Sequence, residues 1–127
     1  MSAKDIFHEV VKRALQKDGW QITHDPLSLS VGGVNMSIDL GAERLIAAER
    51  EGGKIAVEVK SFLERSSAIS EFHMALGQFI NYRGALRRRE PERTIYLAVP
   101  LTTYKIFFHL YFPKEMVKKW WRRIRSA

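Results

Sequence analysis

The sequence predicts a mixed α/β (α+β) domain: a mixed sheet containing an antiparallel meander, flanked by helices. Three observations predict it. The chain opens on an amphipathic helical pattern. Apolar residues then recur at every second position in short runs broken by Gly-Gly pairs. A long helical pattern follows and leads into a strongly β segment.

Ser2 and Asp5 have the spacing of a capping box. Behind them Ile6, Phe7, Val10, Val11, Ala14 and Leu15 fall at helical spacing, and Gly19 offers a stop. Trp20 to Thr23 reads as a short strand and His24-Asp25-Pro26 as a turn. Leu27, Leu29 and Val31 alternate with Ser28 and Ser30, Gly32-Gly33 turns the chain, and Val34, Met36 and Ile38 alternate with Asn35 and Ser37. Asp39 then falls in phase with Asn35 and Ser37, on the polar face. Arg44 to Glu49 reads as the next strand, Glu51-Gly52-Gly53 as its turn, and Lys54 to Lys60 as the strand after it.

Ser66 or Ser67 caps a second helix that runs to about Arg89, with Ile69, Phe72, Leu76, Phe79 and Ile80 as its core stripe. Pro91 ends it, and Thr94 to Val99 forms a strand closed by Pro100. A helical crossover makes that strand parallel to Lys54 to Lys60. Tyr104 to Phe112 fits either a helix or a strand. Pro113 suits the first position of a last helix, with Met116, Val117, Trp120, Trp121 and Ile124 on one side and basic residues largely on the other. The tryptophan pair reads as a packed or dimer-forming stripe. No repeat, linker or low-complexity segment interrupts the chain, so residues 1–127 are expected to be one domain.

The net charge of +7, from 21 basic and 14 acidic residues, points to an anionic partner, with nucleic acid the first candidate. With no cysteine there is neither a disulfide nor a thiolate zinc site. No apolar run approaches the ~20 residues of a membrane span, and the first residues lack the apolar core of a signal peptide. A cytoplasmic location and no membrane contact fit these features. The Gly-Gly pairs match neither G-x-G-x-x-G nor a Walker A loop, which excludes nucleotide binding of those kinds.

The candidate site centres on Lys54-Ile55-Ala56-Val57-Glu58-Val59-Lys60. Ile55, Val57 and Val59 point to one face and read as core; Glu58 and Lys60 lie side by side on the other, which is expected to face solvent. An E-V-K triplet on a strand is more often a solvated face. Asp39 at the end of an alternating run, the turn joining the two strands between the acids, and the helix carrying Gln78 and Tyr82 weigh for function. Asp39 and Glu58 could together hold a hard divalent cation. Lys60 could orient an attacking water and balance charge on a phosphorane-like transition state. Gln78 and Tyr82, four apart, share a helix face. Glu9 borders the first helix's apolar stripe, either as a solvated carboxylate or beside the metal site. His73 reads as an ordinary helix histidine. Arg83, Arg87, Arg88 and Arg89 suit a helix C-terminus and could also grip phosphates.

Helix, meander with Asp39 and then Glu58-Val59-Lys60, helix with Gln78-x-x-x-Tyr82, strand: this order resembles the PD-(D/E)XK, restriction-endonuclease-like superfamily, with Ile38-Asp39 in place of Pro-Asp. Ser37-Ile38-Asp39-Leu40-Gly41-Ala42-Glu43, Ile55 through Phe62, Ala75-Leu76-Gly77-Gln78-Phe79 and Tyr96-Leu97-Ala98-Val99-Pro100 are similar to the XisH family of fdxN-element excision controlling factors. That family is found in cyanobacteria and associated with programmed DNA excision during heterocyst differentiation. The resemblance implies a restriction-endonuclease-like core and a DNA-linked role, alongside a site-specific recombinase and a XisI-like protein. It further implies one Mg2+ or Mn2+ on Asp39 and Glu58, with the Val59 carbonyl as a third ligand. Lys60 would position the water, Gln78 would hold the Lys60 end of the site or a metal-bound water, and Glu9 would accept a hydrogen bond from another such water. The alternative is a non-catalytic DNA-binding or recombinase-regulating subunit acting with a XisI-like partner, and a homodimer is a further expectation. Family members continue into a C-terminal segment with strand character, whereas this sequence is expected to finish on its basic, Trp-rich helix.

Overall fold

The computed structural model describes residues 3–44, 53–62, 67–106 and 124–126. The elements are α1 (Ala3–Lys17), β1 (Gln21–His24), β2 (Leu27–Val31), β3 (Val34–Ile38), β4 (Leu40–Arg44), β5 (Gly53–Val59), α2 (Ala68–Arg89), β6 (Arg93–Val99), α3 (Leu101–Ile106) and β7 (Ile124–Ser126). A five-stranded mixed sheet has the order β1-β4-β5-β6-β7. β1 and β5 pair antiparallel with β4, while β6 pairs parallel with both β5 and β7. The parallel pairing of β5 and β6 across α2 is the one the helical crossover predicts.

The meander is broken in one place. β2 and β3 pair with each other as a separate hairpin, turned by Gly32 and Gly33 at φ +57° and +82°, and do not join the main sheet. The next strand begins at Leu40, four residues before the expected Arg44. Leu40, Gly41 and Ala42 are buried on both faces and carry no alternation that could announce them. Gly41 is needed there: a Cβ would lie 3.1 Å from that of His24 and 3.3 Å from the Arg93 guanidinium. The expected strand beyond Arg44 and the turn at residues 51 and 52 lie outside the described residues.

Both faces of the sheet are covered. α1 lays Phe7 and Val11 on Leu40, Ile55, Val57, Val59 and Tyr96. α2 and the hairpin cover the opposite face, where Phe72, Phe79, Leu86, Leu27 and Ile38 surround Ala56 and Leu97. α1 ends as the sequence predicts, at Gly19 with φ +93°, where the Trp20 N–H returns to the Leu15 carbonyl at 3.0 Å. Ser67 caps α2, its Oγ accepting from the Ser70 N–H at 3.2 Å; Ser66 is outside the described residues.

The stripe of α2 is rotated from the expected one. Phe72 and Phe79 are buried, but Ile69 and Ile80 are each 40% exposed, and Ala75, Tyr82, Ala85 and Leu86 take the inner positions. The buried positions 72, 75, 79, 82 and 86 recur at three- and four-residue spacing, so one continuous stripe faces the sheet and positions 69 and 80 fall beside it. The aromatic segment that fits helix or strand begins as α3; its residues 107–112 are outside the described residues, as is the expected helix from Pro113 up to residue 123. Ile124 belongs to a strand and not to that helix. The outer edge of β6 offers unpaired N–H and C=O groups, and their satisfaction overrides the local helical spacing. Among the described residues no helix is long and apolar enough to cross a membrane.

The rotated stripe has a measurable consequence. Phe79→Ala is expected to lower unfolding stability by about 3–5 kcal/mol. Ile80→Ala, one residue away, is expected to cost less than about 1 kcal/mol. Urea unfolding followed by circular dichroism checks both.

Candidate active site

The antiparallel register of β4 and β5 assembles the site. Leu40 faces Val57 across the ladder, so Asp39, one residue earlier, must meet Glu58, one residue later. The Asp39 N–H donates to Glu58 Oε1 at 3.3 Å, and the Val59 N–H donates to Asp39 Oδ2 at 2.8 Å. Lys60 Nζ stands 3.8 Å from Glu58 Oε2. Two acids 19 positions apart and an amine therefore meet at one point. Asp39 does not continue the polar face of the hairpin as its phase predicts. It is the single residue between β3 and β4, and the chain changes sheets there.

The site does not face solvent as expected. Glu58 is 5% exposed and Lys60 9%. Alternation does send Glu58 and Lys60 to the face opposite Val57 and Val59, but α2 and the hairpin cover that face too. Burial, followed by the adjacent Asp39 charge, pushes the Glu58 carboxyl up to about 8, against the opposing pull of Lys60. At neutral pH the buried Glu58 carboxyl therefore favours its protonated form.

α2 adds two groups. Burial and the charges of Glu58 and Asp39 push the Tyr82 phenol up to about 12, which sets Tyr82 within the field of the acid pair. One turn earlier, Gln78 is half-buried, and its Oε1 is shut off from solvent with no hydrogen-bond partner among the described residues. An acceptor left in that state lacks either a donor or a cation. Among the described residues there is no group of three or more His, Cys, Asp and Glu able to hold a metal ion. The available set is two carboxylates and neutral oxygens. That set fits Mg2+, which takes one or two carboxylates and keeps waters or phosphate oxygens for the rest.

Glu9 and the arginines at the end of α2 lie apart from this group. Glu9 is exposed on α1, which packs on the opposite face of the sheet. Arg83 is half-buried and engaged with a neighbour. Arg87, Arg88 and Arg89 are exposed on the last turn of α2, up to about 10 Å of helix rise beyond Tyr82. His73 is exposed.

Arg93 escapes sequence reading. Its side chain is 2% exposed and ties three strands and a helix end together: Nε donates to Glu90 Oε1 at 2.8 Å, Nη1 to the Ile55 carbonyl at 2.9 Å, and Nη2 lies 3.8 Å from Glu43 Oε2. No local pattern announces it. The burial of Glu58 had a signal: Ile55-Ala56-Val57 is a continuous apolar run, as expected of a strand covered on both faces.

The family model XisH, described as XisH protein, matches residues 1–123. Two solved structures are similar. One is an XisH family protein from Nostoc punctiforme PCC 73102, 69% identical, covering 97% of this chain and 91% of that one with a TM-score of 0.88. The other is an fdxN element excision controlling factor protein from Anabaena variabilis, 65% identical, covering 97% and 90% with a TM-score of 0.86. No curated protein matches the chain.

A raised carboxyl pKa means that the folded state binds its proton more tightly than the unfolded state does. The resulting stability is fully present below the unfolded value of 4.5 and is lost as pH rises toward about 8. Without added metal, stability is expected to fall across that window by up to about 1.4 kcal/mol per pH unit. Glu58→Gln is expected to flatten the slope, and urea midpoints measured from pH 5 to 9 check it.

Proposed function

We propose, from the premise that the chain belongs to the XisH family, that it is a DNA-associated controlling factor for excision of a DNA element. We further propose that its acid pair is a divalent-metal-dependent, endonuclease-type site on a restriction-endonuclease-like core of the PD-(D/E)XK kind. The observation that carries this reading is the meeting of Asp39, Glu58 and Lys60 at one point.

Asp39 and Glu58 would hold one Mg2+ or Mn2+, with the Val59 carbonyl as a further oxygen. Bound there, the ion supplies positive charge against a phosphate. The Val59 N–H fixes the Asp39 carboxylate, so one acid is oriented before any ligand arrives. Lys60 orients the attacking water in line with the scissile phosphate and faces the negative charge that develops there. Gln78 holds the Lys60 end of the site. Glu58 must give up its proton to become a ligand, so loading of the site strengthens as pH rises toward 8. Glu9 stays outside this set, because α1 packs on the other face of the sheet. Arg83, Arg87, Arg88 and Arg89 hold DNA phosphates along α2.

A second reading has its own support. With two acids among the described residues, one of them protonated near neutrality, the site also suits a non-catalytic subunit. Such a subunit binds DNA or a site-specific recombinase through the exposed Arg87–Arg89 turn and acts with a XisI-like partner.

Cleavage of plasmid and branched DNA with Mg2+ separates the two. The first reading expects activity in the wild type and a loss of at least about 100-fold in both Asp39→Ala and Lys60→Ala; equal activity in all three, or none in any, removes the catalytic roles. Under the second, DNA affinity survives Asp39→Ala but falls, with a shallower salt dependence, when Arg87, Arg88 and Arg89 become Gln. Co-purification with a XisI-like protein, with and without the residues after Pro113, tests the partner.

A further inference from the structure

The outer face of α2 carries two glycines that the fold itself does not require. Gly77 and Gly84 lie inside the helix, where glycine is destabilising relative to alanine. Neither has the positive φ that calls for glycine, and nothing lies within 4 Å of a Cβ built at either position. Each comes two residues after a buried one, Ala75 and Tyr82, and so stands about 200° round the helix from it. The two glycines therefore lie on the side away from the sheet and from the acids beneath α2.

The same face is charged in one sense. The acid of α2, Glu71, is buried, whereas Arg87 and Arg88 are exposed. They come three and four residues after Gly84 and are its neighbours on the helix surface. Helical side chains lean toward the N-terminus, so the two stems run past the bare backbone at Gly84. The result is a shallow recess beside two permanent cations. One turn earlier, the exposed Asn81 adds an amide. A helix C-terminus attracts cations, which accounts for arginine there. It does not account for a glycine beside them, or for another two turns earlier.

We propose that the outer face of α2 is a docking surface for duplex DNA, whose sugar–phosphate backbone seats on Gly77 and Gly84 with a phosphate held by Arg87 and Arg88. The missing side chains let the strand come close enough for both guanidinium groups to bond phosphate oxygens directly. A polyanion also complements a face that exposes arginines and no acid. The inference rests on the DNA-associated reading proposed above, but not on cleavage. DNA on this face is separated from Asp39 and Glu58 by the diameter of the helix, about 10 Å.

Fluorescence anisotropy of a labelled DNA duplex, at low salt and with EDTA, reads the docking without cleavage. The wild type is expected to bind with a Kd on the order of 1 µM. Gly77→Leu and Gly84→Leu keep every charge; each should weaken binding about 10-fold, while raising the urea midpoint because leucine is the better helix former. Gly84→Ala should show the same signs with a loss of about 3-fold. Arg88→Gln should lower the slope of log affinity against log salt by about 1. Arg13→Gln removes the same charge from the exposed face of α1 and should leave that slope unchanged. Folded leucine variants that bind as tightly as the wild type overturn the proposal. So does an equal loss of slope in Arg13→Gln, which marks diffuse attraction, or tighter, glycine-sensitive binding to phosphatidylglycerol vesicles than to DNA. A wild type that binds no DNA removes the DNA-associated reading as well, so the two failures are told apart.

Discussion

One ladder register governs this molecule. Because Leu40 pairs with Val57, the residue before β4 and the residue after Val57 are forced together, and both are acids. Nothing in the local chain around either acid requires the other. The backbone enforces the meeting twice, since each acid accepts a hydrogen bond from the other strand, Glu58 from the Asp39 N–H and Asp39 from the Val59 N–H. A slip of one residue would turn every side chain of β5 to the opposite face. Glu58 would then sit among Phe7 and Val11 in an apolar cluster.

The second constraint is that the meeting point is covered. Closure of α2 and the hairpin over the acids raises the energy of two adjacent negative charges, and the fold accommodates this by keeping a proton on Glu58. The same closure strengthens the attraction between Lys60 and any anion that reaches it. Under the proposed function, a cation would have to displace that proton, and a phosphate would pair the ammonium.

Much of this was legible in the chain and some was not, for definite reasons. The hairpin, the strand bearing Glu58, the crossover helix and the parallel strand were readable because each has a strong period and a turn or proline at its end. The start of β4 carries no local signal because Leu40-Gly41-Ala42 is buried on both faces and so has no alternation. The inner face of α2 is hard to read locally because isoleucine outranks alanine and tyrosine in hydrophobicity, whereas the buried stripe runs through positions 72, 75, 79, 82 and 86. For the site, Asp39, Glu58 and Lys60 could be picked out by type and spacing, but whether they face water depends on what lies above them. Long-range covering of that sort, like the threefold grip of Arg93, leaves no mark at short range.

The change of sheets at Asp39 has one more consequence. A single residue separates the hairpin, anchored by Leu27 and Ile38 beneath α2, from β4, anchored by Leu40 against α1. The acid therefore sits on a joint with no slack, clamped from both sides by different cores. The chain tolerates added length at the exposed Gly32-Gly33 tip, where nothing lies within 4 Å of either position. At the joint even one inserted residue would swing the carboxylate out of reach of the Val59 amide. The fold thus separates a place where length can vary from a place where it cannot, at the two ends of one five-residue strand.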